Sequence, residues 1–240
     1  MKEKIYTIPI NETFDAAIEH SSCECPLCML YRRLENIEVE TILGGAMMVP
    51  EIRRQTNEQG FCRTHYDMMM ENGGRLALGL ILESHLEELQ GDLKESFHIG
   101  TPGQKQEKRI RDLEQSCYIC KRVNEPFERM LENTVLLWND EREFREKFAK
   151  TPCFCIKHYR ALIEVARREL NKKTFPDFYR AVSEIENRYL ASLKDDVSWF
   201  CKKFDYRYDK EPWGNAKDAL ERSIRFLGAD LHHADNKKTN

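Results

Sequence analysis

The sequence predicts an all-α protein. Apolar residues recur at helical spacing along most of the chain, most clearly in a stripe that runs from Phe178 to Phe204. Alternation with a period of two is scarce, and only residues 4–10, KIYTIPI, suggest a strand or an extended arm. Four short cysteine motifs interrupt the chain, and a stretch of helical pattern follows each of them.

The strongest apolar stripes predict individual helices in chain order. The first helix begins near Cys25 and ends at Gly44-Gly45, with a stripe at Leu30, Leu34, Ile37 and Thr41. The second carries Leu78, Leu82, His85, Leu86, Leu89 and Leu93, and we expect His85 to pack at a helix interface rather than bind a metal. The third is the long stripe at Phe178, Val182, Ile185, Tyr189, Leu193, Val197, Phe200 and Phe204, with Cys201 as a core residue. A short final helix runs from a cap at Asn215 to Gly228.

A loss of helical periodicity at residues 95–106, ESFHIGTPGQKQ, marks the best candidate for a linker. We therefore expect the chain to divide into five consecutive parts. These are a first helical unit at 1–94, the linker at 95–106, a second helical unit at 107–174, C-terminal helices at 175–228 and a frayed tail at 229–240. The helices are expected to pack as one helical body.

Composition limits the classes of partner. The chain has 240 residues, a net charge of −3 and 33% charged residues, so it has no basic excess with which to hold a phosphate backbone. Nucleic acid is therefore not an expected partner, and no apolar run approaches the length of a membrane span. The N-terminal segment MKEKIYTIPINETF lacks the apolar stretch of a signal peptide, so we expect a cytoplasmic protein.

The cysteine motifs occur in two matching sets. C-x2-C at Cys25 and Cys28 is followed by C-x2-H at Cys62 and His65, and both motifs recur in the same order. The second set consists of Cys117, Cys120, Cys155 and His158, shifted by 92 residues in its first motif and by 93 in its second. Phe61 and Tyr66 also match Phe154 and Tyr159. Four residues of ligand type that return at nearly fixed spacing indicate an internal duplication.

This residue set suits zinc, which prefers four tetrahedral ligands and is bound well by thiolate and imidazole. We expect each set to form one Cys3His site and the chain to bind two zinc ions. The first site would use Cys25, Cys28, Cys62 and His65, and the second Cys117, Cys120, Cys155 and His158. A site with four protein ligands has no open position for water and is usually structural.

Other interpretations of the cysteines remain open at this stage. The same residues are compatible with disulfides or redox dithiols, with iron in place of zinc, or with buried thiols that bind nothing. Cys23 and Cys153 each precede a proposed ligand by two residues, and we expect them to be small buried hydrophobes rather than extra ligands or redox partners. They are not equivalent, because Cys153 aligns with Gly60 and Cys23 with Gln115.

Several stretches together resemble an uncharacterised bacterial family, domain of unknown function 6062. They are MKEKIYTIPINETF, the CPLC and GFCRTHY motifs, NGGRLALGLILESHLEEL, the CYIC and FCIKHY motifs, and WFCKKFDYR with PWGNAKDA. The resemblance covers most of the chain and implies no established activity, so it supplies no catalytic residue. Members are often labelled ABC transporter substrate-binding proteins, which are exported, whereas the N-terminal segment here predicts no export.

Three classes of function follow from these observations. The first is a zinc-stabilised helical scaffold that binds a protein or a small molecule. The second is a thiol-based sensor that releases zinc on oxidation, with Cys153 or Cys23 as a resolving partner. The third is an enzyme, which is not favoured because the sequence contains no nucleophile-base motif, P-loop, dinucleotide loop or open metal site. The sequence predicts neither the partner nor the oligomeric state.

Overall fold

The computed structural model describes residues 7–19, 24–94, 101–229 and 231, and within these ranges the chain contains only helices and their connections. The all-α prediction is confirmed. The α-helices are α1 Thr7–Glu19, α2 Pro26–Leu43, α3 Pro50–Gln59, α4 Arg63–Asn72, α5 Arg75–Asp92, α6 Gln104–Glu114, α7 Tyr118–Asp140, α8 Arg142–Lys150, α9 Ile156–Glu169, α10 Phe175–Lys202 and α11 Ala219–Gly228. Short 3₁₀ turns lie at Gly45–Met48, Tyr206–Tyr208 and Gly214–Ala216. None of the helices in these ranges combines the length and the apolar character needed to cross a membrane.

The ends of the chain differ from the sequence prediction. Residues 7–10 of the suggested strand belong to α1, because Ile10 and Phe14 share one helix face and are fully buried. Residues 4–6 lie outside the described ranges. The last helix ends at Gly228 as predicted, but it begins at Ala219, since the expected cap Asn215 lies inside the 3₁₀ turn at Gly214–Ala216. Of the predicted tail, only Ala229 and Leu231 are described.

Two of the predicted apolar stripes differ from the faces that are buried in the structure. On α2 the buried face carries Tyr31, Glu35 and Val39, whereas Ile37 is 49% exposed and Thr41 is also exposed. The spacing of apolar residues did not predict this buried face, because the carboxylate of Glu35 lies at its centre. On α10 the stripe is buried from Phe178 to Leu193, but Cys201, expected in the core, is exposed. Phe204 lies beyond the helix and is 76% exposed.

The described residues form two compact units. Unit 1 comprises the chain up to Arg32 and from Phe127 onward, and unit 2 comprises Arg33–Pro126. The boundaries between the units fall inside α2 and α7, so unit 1 combines two stretches that are distant in sequence. Residues 95–100 of the expected linker lie outside the described residues, and the division into five consecutive parts stays a prediction.

Unit 1 has an aromatic core. Phe14 of α1, Phe144 and Phe148 of α8, Phe154 and Phe178 are each at most 1% exposed. The ring centroids of Phe14 and Phe144 are 5.0 Å apart, and those of Phe148 and Phe154 are 5.1 Å apart. Such tilted aromatic pairs add to the free energy gained by burial alone. Because Phe154 directly precedes Cys155, this core fixes the start of α9.

Unit 2 is organised by contacts of α3 with α5 and α6. The His85 ring donates a hydrogen bond from Nδ1 to the carbonyl of Asn57 over 2.9 Å, as a packed interface histidine would. The Arg109 guanidinium donates to the carbonyls of Asn57 and Glu58 and pairs with Asp92 at 2.7 Å. These bonds satisfy carbonyls at the C-terminal end of α3, which have no partner within the helix itself.

Gly60 brings together two segments of unit 2. Its φ of +59° is a conformation that favours glycine, and an added Cβ would lie only 2.7 Å from Cδ1 of Leu113. Its carbonyl accepts a hydrogen bond from the N–H of Tyr118 over 3.0 Å. The start of α4 is thereby held beside the start of α7. Cys153, which aligns with Gly60 in the sequence, has no positive φ, so the two positions differ in backbone conformation.

We expect Phe148→Ala to lower the free energy of unfolding by about 3–5 kcal/mol, because the substitution leaves a cavity among rings that have little room to collapse. Urea unfolding followed by circular dichroism would measure the change. Phe204→Ala is the matched control, since that ring is 76% exposed and should contribute little. Equal losses in the two variants would contradict the assignment of the core.

Candidate metal centres

The eight predicted ligand residues lie in two clusters, one in each unit. Unit 1 contains Cys25, Cys28, Cys155 and His158, and unit 2 contains Cys62, His65, Cys117 and Cys120. Within each cluster the sulfur and nitrogen ligand atoms all lie within 4.8 Å of one another. Each cluster thus offers three thiols and one imidazole, a set that could hold one metal ion.

The grouping of the motifs differs from the sequence prediction. The C-x2-C at Cys25 meets the C-x2-H at Cys155 rather than the nearer one at Cys62. Helix length contributes to this, because α2 continues for 15 residues after Cys28 and carries the chain about 22 Å away. The ten residues of α3 span only about 15 Å, so α3 alone does not return the chain to Cys28. Both groupings give Cys3His, so ligand type alone could not distinguish them.

All four motifs stand at helix N-termini. Cys25, Cys62, Cys117 and Cys155 each immediately precede the first residue of a helix, which is α2, α4, α7 and α9 respectively. The second ligand of each motif follows three residues later and therefore lies on the same helix face. Unpaired N–H groups and the helix dipole at these ends favour thiolate over thiol. Each cluster is the meeting point of two such ends.

The spacing of the donor atoms in unit 1 fits a zinc tetrahedron. Bonds of about 2.3 Å to sulfur and 2.0 Å to nitrogen imply S–S edges of about 3.8 Å and S–N edges of about 3.5 Å. The Sγ atoms of Cys28 and Cys155 are 3.6 Å apart. The Nδ1 atom of His158 lies 3.5 Å from Sγ of Cys25 and 3.4 Å from Sγ of both Cys28 and Cys155.

The unit 2 cluster has similar edges. The Sγ atoms of Cys62 and Cys120 are 3.8 Å apart, and Nδ1 of His65 lies 3.5 Å from Sγ of Cys120. The distances from this nitrogen to Sγ of Cys62 and Cys117 are 3.1 and 3.2 Å, slightly shorter than the ideal edge. In both clusters the histidine presents Nδ1, so one tautomer, with its proton on Nε2, would bind the metal.

The outer nitrogens of the two histidines have different environments. Nε2 of His65 lies 2.9 Å from a carboxylate oxygen of Glu35, and both side chains are fully buried. A carboxylate in this position fixes the tautomer of a ligating histidine and makes the ring a stronger ligand. Nε2 of His158, in contrast, is buried without a hydrogen-bond partner in the part of the chain that the structure describes. The ring of Phe127 packs against His158 with centroids 5.4 Å apart.

Ionisation of the thiols is uneven within each cluster. Burial and the neighbouring Cys155 and Cys28 raise the pKa of Cys25, whereas hydrogen bonds from Cys25 and Cys28 lower the pKa of Cys155. In unit 2 a hydrogen bond from Cys120 lowers the pKa of Cys117 to about 3, and the same bond raises that of Cys120. Closely packed thiols compete for negative charge, so a cation is needed before all of them can ionise.

In unit 2 His65 holds a second proton, in addition to the proton on the Cys120 thiol. Burial alone would lower the pKa of His65, but its hydrogen bonds to Cys117 and Glu35 outweigh that effect and raise the pKa to about 10. A metal that binds Nδ1 must displace this proton. The cluster therefore exchanges protons for a metal ion when it is filled.

Two buried glutamates escaped the sequence analysis. Glu35 lies four residues after Tyr31 and four before Val39, and Glu186 lies four after Val182 and three before Tyr189. The sequence signal that could have identified them is a carboxylate at a core position of an apolar stripe. Burial raises the pKa of Glu186 to about 7, and the negative charge of the Cys155 thiolate adds to this increase. Neither oxygen of Glu186 has a partner at hydrogen-bonding distance among the described residues.

Cys153 lies beside the unit 1 cluster. It is 3% exposed and packs with Tyr189, Leu193 and Phe226, as expected for a small buried hydrophobe. It also lines, together with Cys25, Cys28 and Cys155, a cavity of about 20 Å³, which is large enough for about one water molecule. Cys23, the other cysteine of this kind, lies outside the described residues.

We expect Glu35→Gln to weaken zinc binding in unit 2 by about 10- to 100-fold, because the neutral amide loses the charge that strengthens His65 as a ligand. Competition with a chromophoric chelator would measure the affinity. Glu38→Gln is the matched control, since Glu38 lies on the same helix but pairs with Arg122 at 2.6 Å. Equal effects of the two substitutions would show that Glu35 has no special relation to His65.

Zinc affinity in unit 2 should fall as the pH falls. The raised pKa values of His65 and Cys120 keep both groups protonated in the metal-free protein at neutral pH, whereas Cys117 is already ionised. Each displaced proton should weaken binding about tenfold per pH unit between about pH 8 and pH 6. Chelator competition across this range, with Cys28→Ser to disable the unit 1 site, would test the slope. An affinity independent of pH would contradict it.

Comparison with known proteins adds a family but no activity. No curated protein and no solved structure shows significant similarity to the chain. The sequence profile described as "Family of unknown function (DUF6062)" matches residues 1–234, which include both clusters and nearly the whole chain. The resemblance noted from the motifs is thereby confirmed, and the chain belongs to this family of unknown function.

Proposed function

We propose that the protein binds two structural zinc ions and acts as a helical scaffold for a protein or small-molecule partner. One ion would join the N-termini of α2 and α9 in unit 1, and the other those of α4 and α7 in unit 2. The observation that carries the proposal is the presence, twice, of a complete Cys3His set with donor atoms within 4.8 Å of one another.

The donor set supports zinc and a structural role. Three thiolates with one imidazole suit zinc, and four protein ligands leave no position for a reacting water. Zinc bound in this way can contribute about 10 kcal/mol to the stability of a small domain. Part of that would overlap with core packing in unit 1, where the aromatic cluster already stabilises the helices.

A scaffold role is supported by the segment that follows α10. Lys203 is buried, and its Nζ donates hydrogen bonds to the carbonyls of Tyr208, Asp209 and Glu211. Nε1 of Trp199 donates to the carbonyl of Pro212 over 3.0 Å. These bonds order the segment, yet Phe204 is 76% exposed and Tyr206 88% exposed. Aromatic side chains held rigidly at a surface are typical of binding sites.

We also propose that the protein resides in a reducing compartment such as the cytoplasm. Thiolates that bind zinc must remain reduced, and cysteines in such compartments bind metals more often than they form disulfides. The ligand cysteines are not joined in disulfides, and their sulfur atoms are separated at distances suited to a metal rather than to an S–S bond.

Elemental analysis of protein purified without chelator tests the metal content, and we expect two zinc ions per chain. Double variants then test the grouping. Cys28→Ser with Cys155→Ser damages one cluster and should leave about one zinc, whereas Cys28→Ser with Cys62→Ser damages both and should leave almost none. The reverse result would restore the grouping that the sequence predicts.

Single variants test the energetic role of the metals. We expect Cys62→Ser and His158→Ala each to lower the zinc content by about one ion and to reduce the melting temperature. Cys201→Ser is the matched control, because this exposed cysteine belongs to neither cluster. Full zinc occupancy and unchanged melting in both variants would exclude the proposed role.

A further inference from the structure

The two clusters differ in their access to solvent. In unit 1 the ligand residues are all nearly inaccessible, with Cys25 6% exposed and the other three at most 2% exposed. In unit 2 His65 and Cys117 are buried, but Cys62 and Cys120 are only half-buried. A reagent dissolved in water therefore has better access to Cys62 and Cys120 than to any ligand residue of unit 1.

A groove leads to the exposed side of the unit 2 cluster. It has a volume of about 650 Å³ and is lined by Cys117 and Cys120 together with Arg54, Lys121 and Asn124. The lining is polar, so it admits water and small polar reagents. Arg54 and Lys121 line the groove together with Glu58, and Arg54 pairs with Glu51 at 2.7 Å, so the groove carries charges of both signs.

The two half-buried sulfurs are also neighbours. Sγ of Cys62 and Sγ of Cys120 are 3.8 Å apart, so a disulfide of about 2.05 Å would require a movement of less than about 2 Å. Cys117 is less available, because the residue is buried and its sulfur accepts a hydrogen bond from the N–H of Cys120. Partial exposure and proximity thus select Cys62 and Cys120, of which Cys120 also lines the groove.

We propose that the unit 2 cluster is a site of oxidative modification, at which hydroperoxides join Cys62 to Cys120 and release one zinc ion while the unit 1 zinc remains bound. This inference rests on the proposed function, since it requires zinc in both clusters.

The chemistry consists of two displacements. The Cys120 thiolate attacks one oxygen of hydrogen peroxide, an S–O bond forms, the O–O bond breaks and hydroxide leaves. The Cys62 thiolate then attacks the sulfenic sulfur, so that the S–S bond forms and the S–O bond breaks with loss of a second hydroxide. Two thiolates lose two electrons in total and the peroxide gains them. A zinc ion held there would keep its charge and would dissociate, because it would have lost two of its four donors.

The test uses the full-length protein loaded with two zinc ions. Hydrogen peroxide is added stepwise, released zinc is measured with a metallochromic dye, and remaining thiols are alkylated before peptide mapping by mass spectrometry. We expect release to level off at one zinc per chain, with a disulfide that links the peptides of Cys62 and Cys120. Cys25, Cys28 and Cys155 should be recovered as alkylated thiols. Cys201→Ser should behave as the wild type does.

Variants with one working cluster give an independent measure. Cys28→Ser should keep only the unit 2 zinc and release it at the wild-type rate. Cys120→Ser should keep only the unit 1 zinc and release it at least about tenfold more slowly. Release of both ions together, of neither ion, or a disulfide between any other pair would overturn the inference but leave the proposed function intact. Protein that contains no zinc before peroxide is added would instead refute the proposed function.

Discussion

The structure depends on the meeting of two helix N-termini at each ligand cluster. Four helices begin immediately after a cysteine, and their unpaired N–H groups make those ends favourable places for negative charge. Two such ends that each carry thiols repel one another once the thiols ionise. A divalent cation between them would remove this repulsion and supply four bonds in its place.

Different contacts hold the ligand residues of the two clusters in place. In unit 2 the glycine at position 60 allows the chain to approach α7, and a buried carboxylate orients the histidine. In unit 1 a set of phenylalanine rings fixes the start of α9, and the outer nitrogen of His158 has no partner among the described residues. The unit 2 cluster thus depends on polar contacts beside a groove, and the unit 1 cluster depends on close packing.

The sequence was sufficient to predict the helical class and the eight Cys and His residues that form the two clusters, because helical period and motif spacing are local properties of the chain. It could not give the grouping of the motifs, since exchange of the two C-x2-H motifs leaves both donor sets unchanged. The buried face of α2 was predicted wrongly, because Glu35 occupies a core position where an apolar residue would be expected. Cys201 was assigned to the core because the stripe on α10 continues in sequence after the core itself has ended.

Because of this grouping, all four residues of the unit 2 cluster lie between the two motifs of the unit 1 cluster in the sequence. Cys28 and Cys155 are 127 residues apart, and the whole of unit 2 lies between them, whereas His65 and Cys117 are only 52 residues apart. Closing the longer loop removes more freedom from the unfolded chain, by about 0.6 kcal/mol for each doubling of length. A chain that emerges from the ribosome in order exposes all four ligands of unit 2 before the later half of the unit 1 site has been made. A metal bound at the unit 2 cluster would therefore close that loop first, because Cys155 and His158, the partners of Cys25 and Cys28, are synthesised later.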